Sequence, residues 1–469
     1  MALFYERLLP HFALHGVKAM NNKDLALTYA EKISRAIEQQ QYEQAIEEIQ
    51  DLRPIDIADL LALIEPKLAW QLLAHLPNRS TIFAYLDPDS QVALAYVFPR
   101  AILAKIVGEM PSDERTDLYK RLSQDQRDVL LPALAQAKRE DIRRLSAYEE
   151  GTAGALMSSD YATLGAEMTV AEALDALRLE APDAETIYHA YVIDDARKLL
   201  GVVSLRVLIL SSPEQLIKDI MVSSVISSDV NDDQEDVAKT VARYDLISLP
   251  ITDASGALVG IVTHDDAMDV ASDEATDDFH KSGGVSTMVG RLKDVSITVL
   301  YRKRVFWLVF LVFGNLLSGL SIANFEDVIA ANLVLVFFLP LLVDSGGNAG
   351  SQSATLMVRA LATGDVVMRD WFSLLGREAL VALLLGATMA VAIALIGYVR
   401  GDATVSLVLA LSMLCVVMIG SVIGMSLPFI LNKLGFDPAT ASAPLITSIS
   451  DASGVLIYLF IASKFLPIG

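Results

Sequence analysis

The sequence predicts a multidomain α-helical integral membrane protein, with an α-solenoid N-domain, a tandem α/β repeat pair, an acidic connecting helix and a five-helix transmembrane bundle. Three observations carry that expectation. Apolar residues make up 53% of the 469, too many for a wholly soluble chain of this length. Prolines recur at a steady beat near the start, and five long apolar runs fill the last third. The parts read as a lead segment 1–23, an N-domain of short helices 24–145, the repeat pair 146–272, the connecting helix 273–301 and the membrane domain 302–469.

Charge is spread unevenly. The first 304 residues hold 31 Lys and Arg against 49 Asp and Glu, which is −18 of the net −21. Such a surface repels nucleic-acid phosphate and draws cations through its summed field, which argues against DNA or RNA as a partner. Cys415 is the single cysteine, so no intramolecular disulfide can form and a reducing cytosol suits the soluble part. Glu6, Arg7, His11 and Lys18 interrupt the apolar core that a cleavable signal peptide needs, and the N-terminal region is expected in the cytosol.

The N-domain is set by Pro54, Pro66, Pro77, Pro88, Pro99 and Pro111, spaced by 11 or 12 residues. Between them run patterns such as Ile57, Leu60, Leu61 and Ile64, or Leu68, Leu72, Leu73 and Leu76, with the spacing of a one-faced helix. Proline fits a first helical turn and breaks an interior, so each helix is confined to two or three turns and the set stacks as a solenoid.

A second repeat follows. An offset of 59 aligns residues 191–204 (YVIDDARKLLGVVS) with 250–263 (PITDASGALVGIVT). Each copy reads as an apolar strand, a turn rich in Asp, Gly or Ser, and a second strand holding Gly201 or Gly260, then a helix. The copies open on 156–159 (LMSS) and 220–223 (IMVS). This pattern resembles a tandem CBS-domain pair, and the resemblance implies a sensor of nucleotides or ions, with ATP as the candidate nucleotide.

From Asp265 to Asp278 the chain places seven acids with no basic residue between them. A solvated helix face is one reading. A divalent-cation site is the other, because Asp266, Asp269 and Asp273 recur at helical neighbour spacing, where repulsion is unfavourable unless a cation offsets it.

The membrane spans are expected at Val305–Ala323, Val328 to about Met357, Ala379–Val399, Ala403–Leu431 and Ala439–Ser463, each long enough for about 30 Å of hydrocarbon. A cytosolic N-terminus puts Arg302, Lys303, Arg304, Arg359, Arg369, Arg377 and Lys433 inside and only Arg400 and Lys464 outside, as the positive-inside rule asks. The C-terminus then lies outside. Asp451 has 12 uncharged residues on either side, and Asp344 precedes Gly346, Gly347 and Gly350 in the second span. A charge at that depth is costly unless it faces water, a cation or a partner. For both aspartates a protonated, hydrogen-bonded carboxyl in a packed bundle stands beside a wet cation route. The glycines fit either irregular backbone along a pore or close helix packing.

The run 340–352 (PLLVDSGGNAGSQ), the loop 435–439 (GFDPA), and Pro444 followed seven residues later by Asp451 together resemble the MgtE family. The likeness covers nearly the whole chain in order. It implies a homodimeric Mg2+ channel in the cell membrane, importing the ion and closed when cytosolic Mg2+ is high. Mg2+ is then both cargo and regulator. By the same resemblance Asp451 matches the pore aspartate, Asn348 with the backbone of Gly346 and Gly347 matches the motif of the second membrane helix, and Thr447 falls where a carbonyl faces the ion. Asp437 matches the acid of the loop at the cytosolic mouth. Residues 262–269 (VTHDDAMD) and 274–281 (EATDDFHK) resemble the sensor segment, making Asp265, Asp266, Asp269, Glu274 and Asp278 regulatory candidates.

Mg2+ prefers oxygen ligands and sheds water reluctantly, and no His or Cys that would favour a softer metal stands beside the two membrane aspartates. Enzymatic function is not expected. All six histidines precede the membrane part, so no HExxH metalloprotease helix lies there. The alternatives are a transporter or exchanger for another divalent ion (Co2+, Mn2+ or Ni2+) of the same build, and a membrane-anchored CBS nucleotide sensor.

Overall fold

The computed structural model of the chain describes residues 23–181, 184–285 and 296–466. It falls into two compact units, Met1–Ala271 and Ser272–Gly469. The lead segment up to residue 22, and residues 286–295 of the expected connecting segment, lie outside the described residues.

In the first unit, helices Lys23–Glu38 (α1), Tyr42–Ile49 (α2), Pro54–Leu61 (α3), Pro66–Leu73 (α4), Arg79–Ala84 (α5), Pro88–Val97 (α6), Arg100–Glu109 (α7), Ser112–Arg121 (α8), Gln124–Leu130 (α9) and Gln136–Leu145 (α10) follow one another. Each packs on the next but one, from α1 on α3 through α8 on α10, which is the two-row stacking of a solenoid. Pro54, Pro66 and Pro88 sit in first turns, and Pro99 and Pro111 are the caps of α7 and α8. At those places the missing N–H costs nothing and the fixed φ starts the next helix. Ile33, Leu60, Leu72, Phe83, Ile106 and Leu118 belong to the continuous core between the rows.

The repeat pair follows as Ala153–Leu156 (α11), Tyr161–Gly165 (β1), Val170–Glu180 (α12), Thr186–Ile193 (β2), Leu199–Ser204 (β3) and Leu205–Leu210 (α13), then Ile217–Ile220 (α14), Ser228–Asp229 (β4), Gln234–Arg243 (α15), Ser248–Thr252 (β5) and Leu258–Thr263 (β6). The sheets run β1-β2-β3 and β4-β5-β6, with the first pair of each parallel and the second antiparallel. Val192 pairs with Gly201 and Ile251 with Gly260, so the 59-residue offset is a true structural repeat. The two copies exchange their openings. Met221 lies on Gly201 of the first copy and Met157 on Gly260 of the second, each where a Cβ would collide with the methionine. Glycine is needed there for close approach.

Helix His264–Ser282 (α16) begins directly after β6, nine residues before the expected start of the connecting helix, and its turns through Ala271 belong to the first unit. In the second unit, Ile297–Asn324 (α17), Val334–Ala362 (α19), Trp371–Arg400 (α20), Ala403–Lys433 (α21) and Ala443–Phe465 (α22) are, among the described residues, the five helices long and apolar enough to cross a membrane, with Glu326–Ala331 (α18) a short link. Helix α22 packs against α17, α19 and α21. Among the described residues, Phe338, Leu342, Val408, Val417 and Tyr458 form the centre of that core.

Several span ends differ from expectation. The second helix starts at Val334, because the chain first turns through α18 and Asn332. The third starts at Trp371 on a 3-10 turn, Met368–Asp370, bringing Arg377 and Glu378 into the helix. The fifth starts at Ala443, after Asp437 caps a 3-10 turn at Pro438–Thr440.

Candidate functional site

In the membrane unit α22 carries Thr447 and Asp451 one turn apart, and α19 brings Gly347 against both. A Cβ on Gly347 would stand 2.8 Å from Thr447 Cγ2 and 3.3 Å from Asp451 Oδ1, so only glycine lets the two helices meet at that level. The Thr447 hydroxyl donates to the carbonyls of Ala443 (2.9 Å) and Pro444 (3.0 Å). On α19, Asn348 Nδ2 donates to Asp344 Oδ2 at 2.9 Å, and both residues are exposed. Asp344 bears on Asp451 as a like charge. No cation pairs with either carboxylate among the described residues.

Helix α19 is regular through Gly346, Gly347 and Gly350, so the reading of broken backbone with pore-facing carbonyls is corrected. The glycines divide the work. Gly346 lies on Val416 and Gly350 on the Gly420 carbonyl, where a Cβ would come within 2.6 Å and 2.7 Å, which is close helix packing. Gly347 alone belongs to the carboxylate site. Glu378, one residue outside the expected third span, accepts a hydrogen bond from Ser353 Oγ of α19.

In the first unit the buried Arg115 of α8 donates to the Met110 carbonyl and to Asp141 Oδ2, both at 2.9 Å, and lies 3.9 Å from Asp160. The Ser112 and Ser158 hydroxyls share a hydrogen bond at 3.0 Å, and Ser112 Oγ accepts from Ser159 N at 2.7 Å. These bonds fix the first turn of α8 against the repeat pair. Asp113 and Glu114 of that turn thereby face Glu185 and Asp266.

Burial, followed by the charge of Asp266, pushes Glu114 and Glu185 up to about 7. The same causes hold Asp113 well above the usual carboxylate range. Burial, with Asp265 and Asp269 adding to it, raises Asp266 despite the hydrogen bond from Thr263 Oγ1. Asp113 Oδ1 is sealed from water with no hydrogen-bond partner. A group of carboxylates forced together in this way is uncompensated electrostatically, and an all-oxygen donor set fits a hard divalent cation. As placed, no three acidic, His or Cys side chains among the described residues converge tightly enough to hold a metal.

The structure thus unites Asp451, Thr447 and Gly347 in one place and Asp265 and Asp266 with three acids that sequence reading missed. Asp113, Glu114 and Glu185 have no local signal. Asp113 and Glu114 look like ordinary acids in the first turn of a helix. Glu274 and Asp278 lie farther along α16, half-buried, in the second unit. Asp437 caps its turn by accepting from Ala439 N at 2.8 Å and pairs with Lys281 at 2.6 Å.

Fold and site define a multi-pass membrane protein with a solenoid and a CBS pair joined to a membrane unit that bears carboxylates without a cation partner among the described residues. Three family profiles match in order: the MgtE intracellular N domain at residues 52–151, the CBS domain at 153–212 and 217–273, and the MgtE divalent cation transporter at 339–461. The magnesium transporter MgtE of Thermus thermophilus is 35% identical over 90% of this chain and 94% of its own length, and that of Bacillus subtilis 32% over 89% and 93%. The crystal structure of the soluble part of a magnesium transporter matches at 33% identity and a TM-score of 0.50, covering 53% of this chain and 99% of that one. The chain belongs to the MgtE family of magnesium transporters.

Proposed function

We propose that the chain conducts Mg2+ into the cell as a homodimer, with Asp451 of each copy at the shared axis, and that cytosolic Mg2+ closes it. The observation that carries this reading is the Asp451 carboxylate in mid-helix, beside Gly347 and Thr447 and without a cation partner among the described residues. Two such carboxylates facing each other favour a doubly charged ion, and Mg2+ can pass with much of its water shell between them. Asn348 and Asp344 extend the polar surface along α19.

Relatives named as magnesium transporters support Mg2+ as the cargo. The basic residues at the helix ends support a cytosolic N-terminus and an outside C-terminus. The CBS likeness alone supports ATP as a ligand of the repeat pair. Uptake of Mg2+, Mn2+, Co2+ and Ni2+ into vesicles holding the purified protein tests the reading. A chain that moves none of them, or moves every one except Mg2+, is not the channel described.

Closure is assigned to Mg2+ drawn between Asp113, Glu114, Glu185, Asp265, Asp266 and Asp269, which stabilises the N-domain against the repeat pair. Glu274, Asp278 and Asp437 are the corresponding candidates in the second unit. This assignment has a pH signature. Glu114 and Glu185 are raised to about 7, so in the ion-free protein their folded placement is most favourable below about pH 4.5 and is progressively lost as pH rises through 7. Mg2+ must displace the protons they hold. At pH 7 binding is therefore expected to release roughly one proton, and the apparent affinity to rise between pH 6 and 8. Calorimetry in two buffers of different ionisation enthalpy measures the release. Identical heats and a flat affinity across that range rule out this cluster as the sensor.

A further inference from the structure

Resting on the reading of α16 as the acidic connecting helix of an Mg2+-closed channel, we propose that Asp277 and Asp437 form a cation site already filled by the chain's own Lys281, so that this connector is held on the membrane helices without a bound divalent ion. Lys281 Nζ lies 2.6 Å from Asp277 Oδ2, one turn earlier on α16, and 2.6 Å from Asp437 Oδ2 in the loop between α21 and α22. The other Asp437 oxygen accepts from Ala439 N. Both oxygens of the acid that the family resemblance assigns to a metal are therefore engaged within the chain.

Burial alone would lower the Lys281 ammonium. The hydrogen bonds to Asp277 and Asp437 outweigh it and hold the group above the usual lysine range, so it stays charged at any physiological pH.

The surroundings fix this contact. Helix α16 ends in a left-handed Gly284 (φ +70°), with Val285 N donating back to the His280 carbonyl at 2.9 Å, which is a glycine-capped helix stop. A side chain on Gly284 would run into the Trp307 ring of α17 and come within 3.4 Å of Pro444 at the start of α22. The end of the connector is thus seated against the third turn of α17 and the first turn of α22, three residues before Thr447, and Lys281 is the charge that pins it. A tethered amine is present at unit occupancy whatever the ion concentration. A divalent ion reaches these two carboxylates only by displacing it.

Hydrogen exchange of residues 277–285 in the full-length protein, without Mg2+ and with an excess, tests this directly. Without Mg2+, Lys281→Gln is expected to speed exchange about fivefold, as loss of a half-buried pair bridging two acids implies, while Lys281→Arg stays near wild type. Asp437→Asn should act alike, and Lys281→Gln/Asp437→Asn should be no worse than the single changes, because one contact is lost in each. Added Mg2+ should slow these amides in Lys281→Gln and leave them unchanged in the wild type. Wild-type exchange in Lys281→Gln, additive effects in the double variant, or Mg2+-dependent slowing of equal size in both proteins overturns the proposal. The readout does not involve transport, so it stands or falls separately from the flux assay.

Discussion

Asp451→Asn is expected to lower Mg2+ flux into reconstituted vesicles on the order of 100-fold while leaving the protein folded. Asparagine keeps the volume and polarity of the side chain beside Gly347 and Thr447, so packing between α19 and α22 is retained. What is lost is the charge, which the proposed dimer would carry twice at its axis. In a narrow site of reduced dielectric an ion-carboxylate attraction of about 3 kcal/mol converts to roughly that factor. Asp344→Asn should cost far less, near threefold, because Asp344 is exposed and its bond from Asn348 survives as an amide pair. The comparison separates a site carboxylate from a general surface charge. Equal losses in both variants, or flux in Asp451→Asn within twofold of wild type with the elution profile unchanged, would remove Asp451 from the ion path.

How much of this was legible beforehand depends on whether a feature is local. The proline beat fixed the short helices because each proline acts on its own turn, and the structure keeps Pro54, Pro66, Pro88, Pro99 and Pro111 at helix starts. The strands of the repeat pair follow from short apolar runs on either side of a polar turn and from glycines 59 apart. The five spans follow from length and hydropathy, but their ends do not. Helix α20 gathers Arg377 and Glu378 in its second turn because a polar helix end can lie at the headgroup level, where a hydropathy window stops counting. Glu378 therefore falls outside the apolar run although it joins α20 to α19 through Ser353.

Features that depend on distant segments meeting were less accessible. Nothing near Asp113 or Glu185 announces that Asp266 will face them, since the three belong to a solenoid helix, the approach to β2 and the start of α16. The packing of Met157 on Gly260 and Met221 on Gly201 likewise crosses between copies. A usable sign existed for the membrane helices. Gly346 and Gly350, and Gly420 and Gly424, each stand four apart, the spacing that lets backbones touch. For the first pair the sequence fits pore backbone and close packing alike, and the structure shows the packing.

That second pair yields the other large effect. Gly424→Val is expected to prevent accumulation of folded protein, or to lower its melting temperature by roughly 10 °C or more. A Cβ on Gly424 would collide with the Gly350 carbonyl, and one on Gly420 with that of Gly346, so helices α19 and α21 touch backbone to backbone along two turns. Inserting an isopropyl group forces them apart at a cost of about 3 kcal/mol or more, since neither main chain can step aside as a flexible side chain would. The damage also reaches the proposed ion site, because Gly347 lies between Gly346 and Gly350 and its distance to Asp451 is set by the same helix. Gly424→Ala should fall between wild type and valine in both stability and flux. Gly319→Ala and Gly376→Ala are the controls, as a Cβ at either meets nothing within 4 Å, and both should gain slightly from alanine's higher helix propensity. Thermal unfolding followed by size-exclusion chromatography in detergent measures the series. A Gly424→Val protein that melts with the Gly319→Ala control would mean that α19 and α21 are not held at backbone contact, and the placement of Gly347 against Asp451 would fall with it.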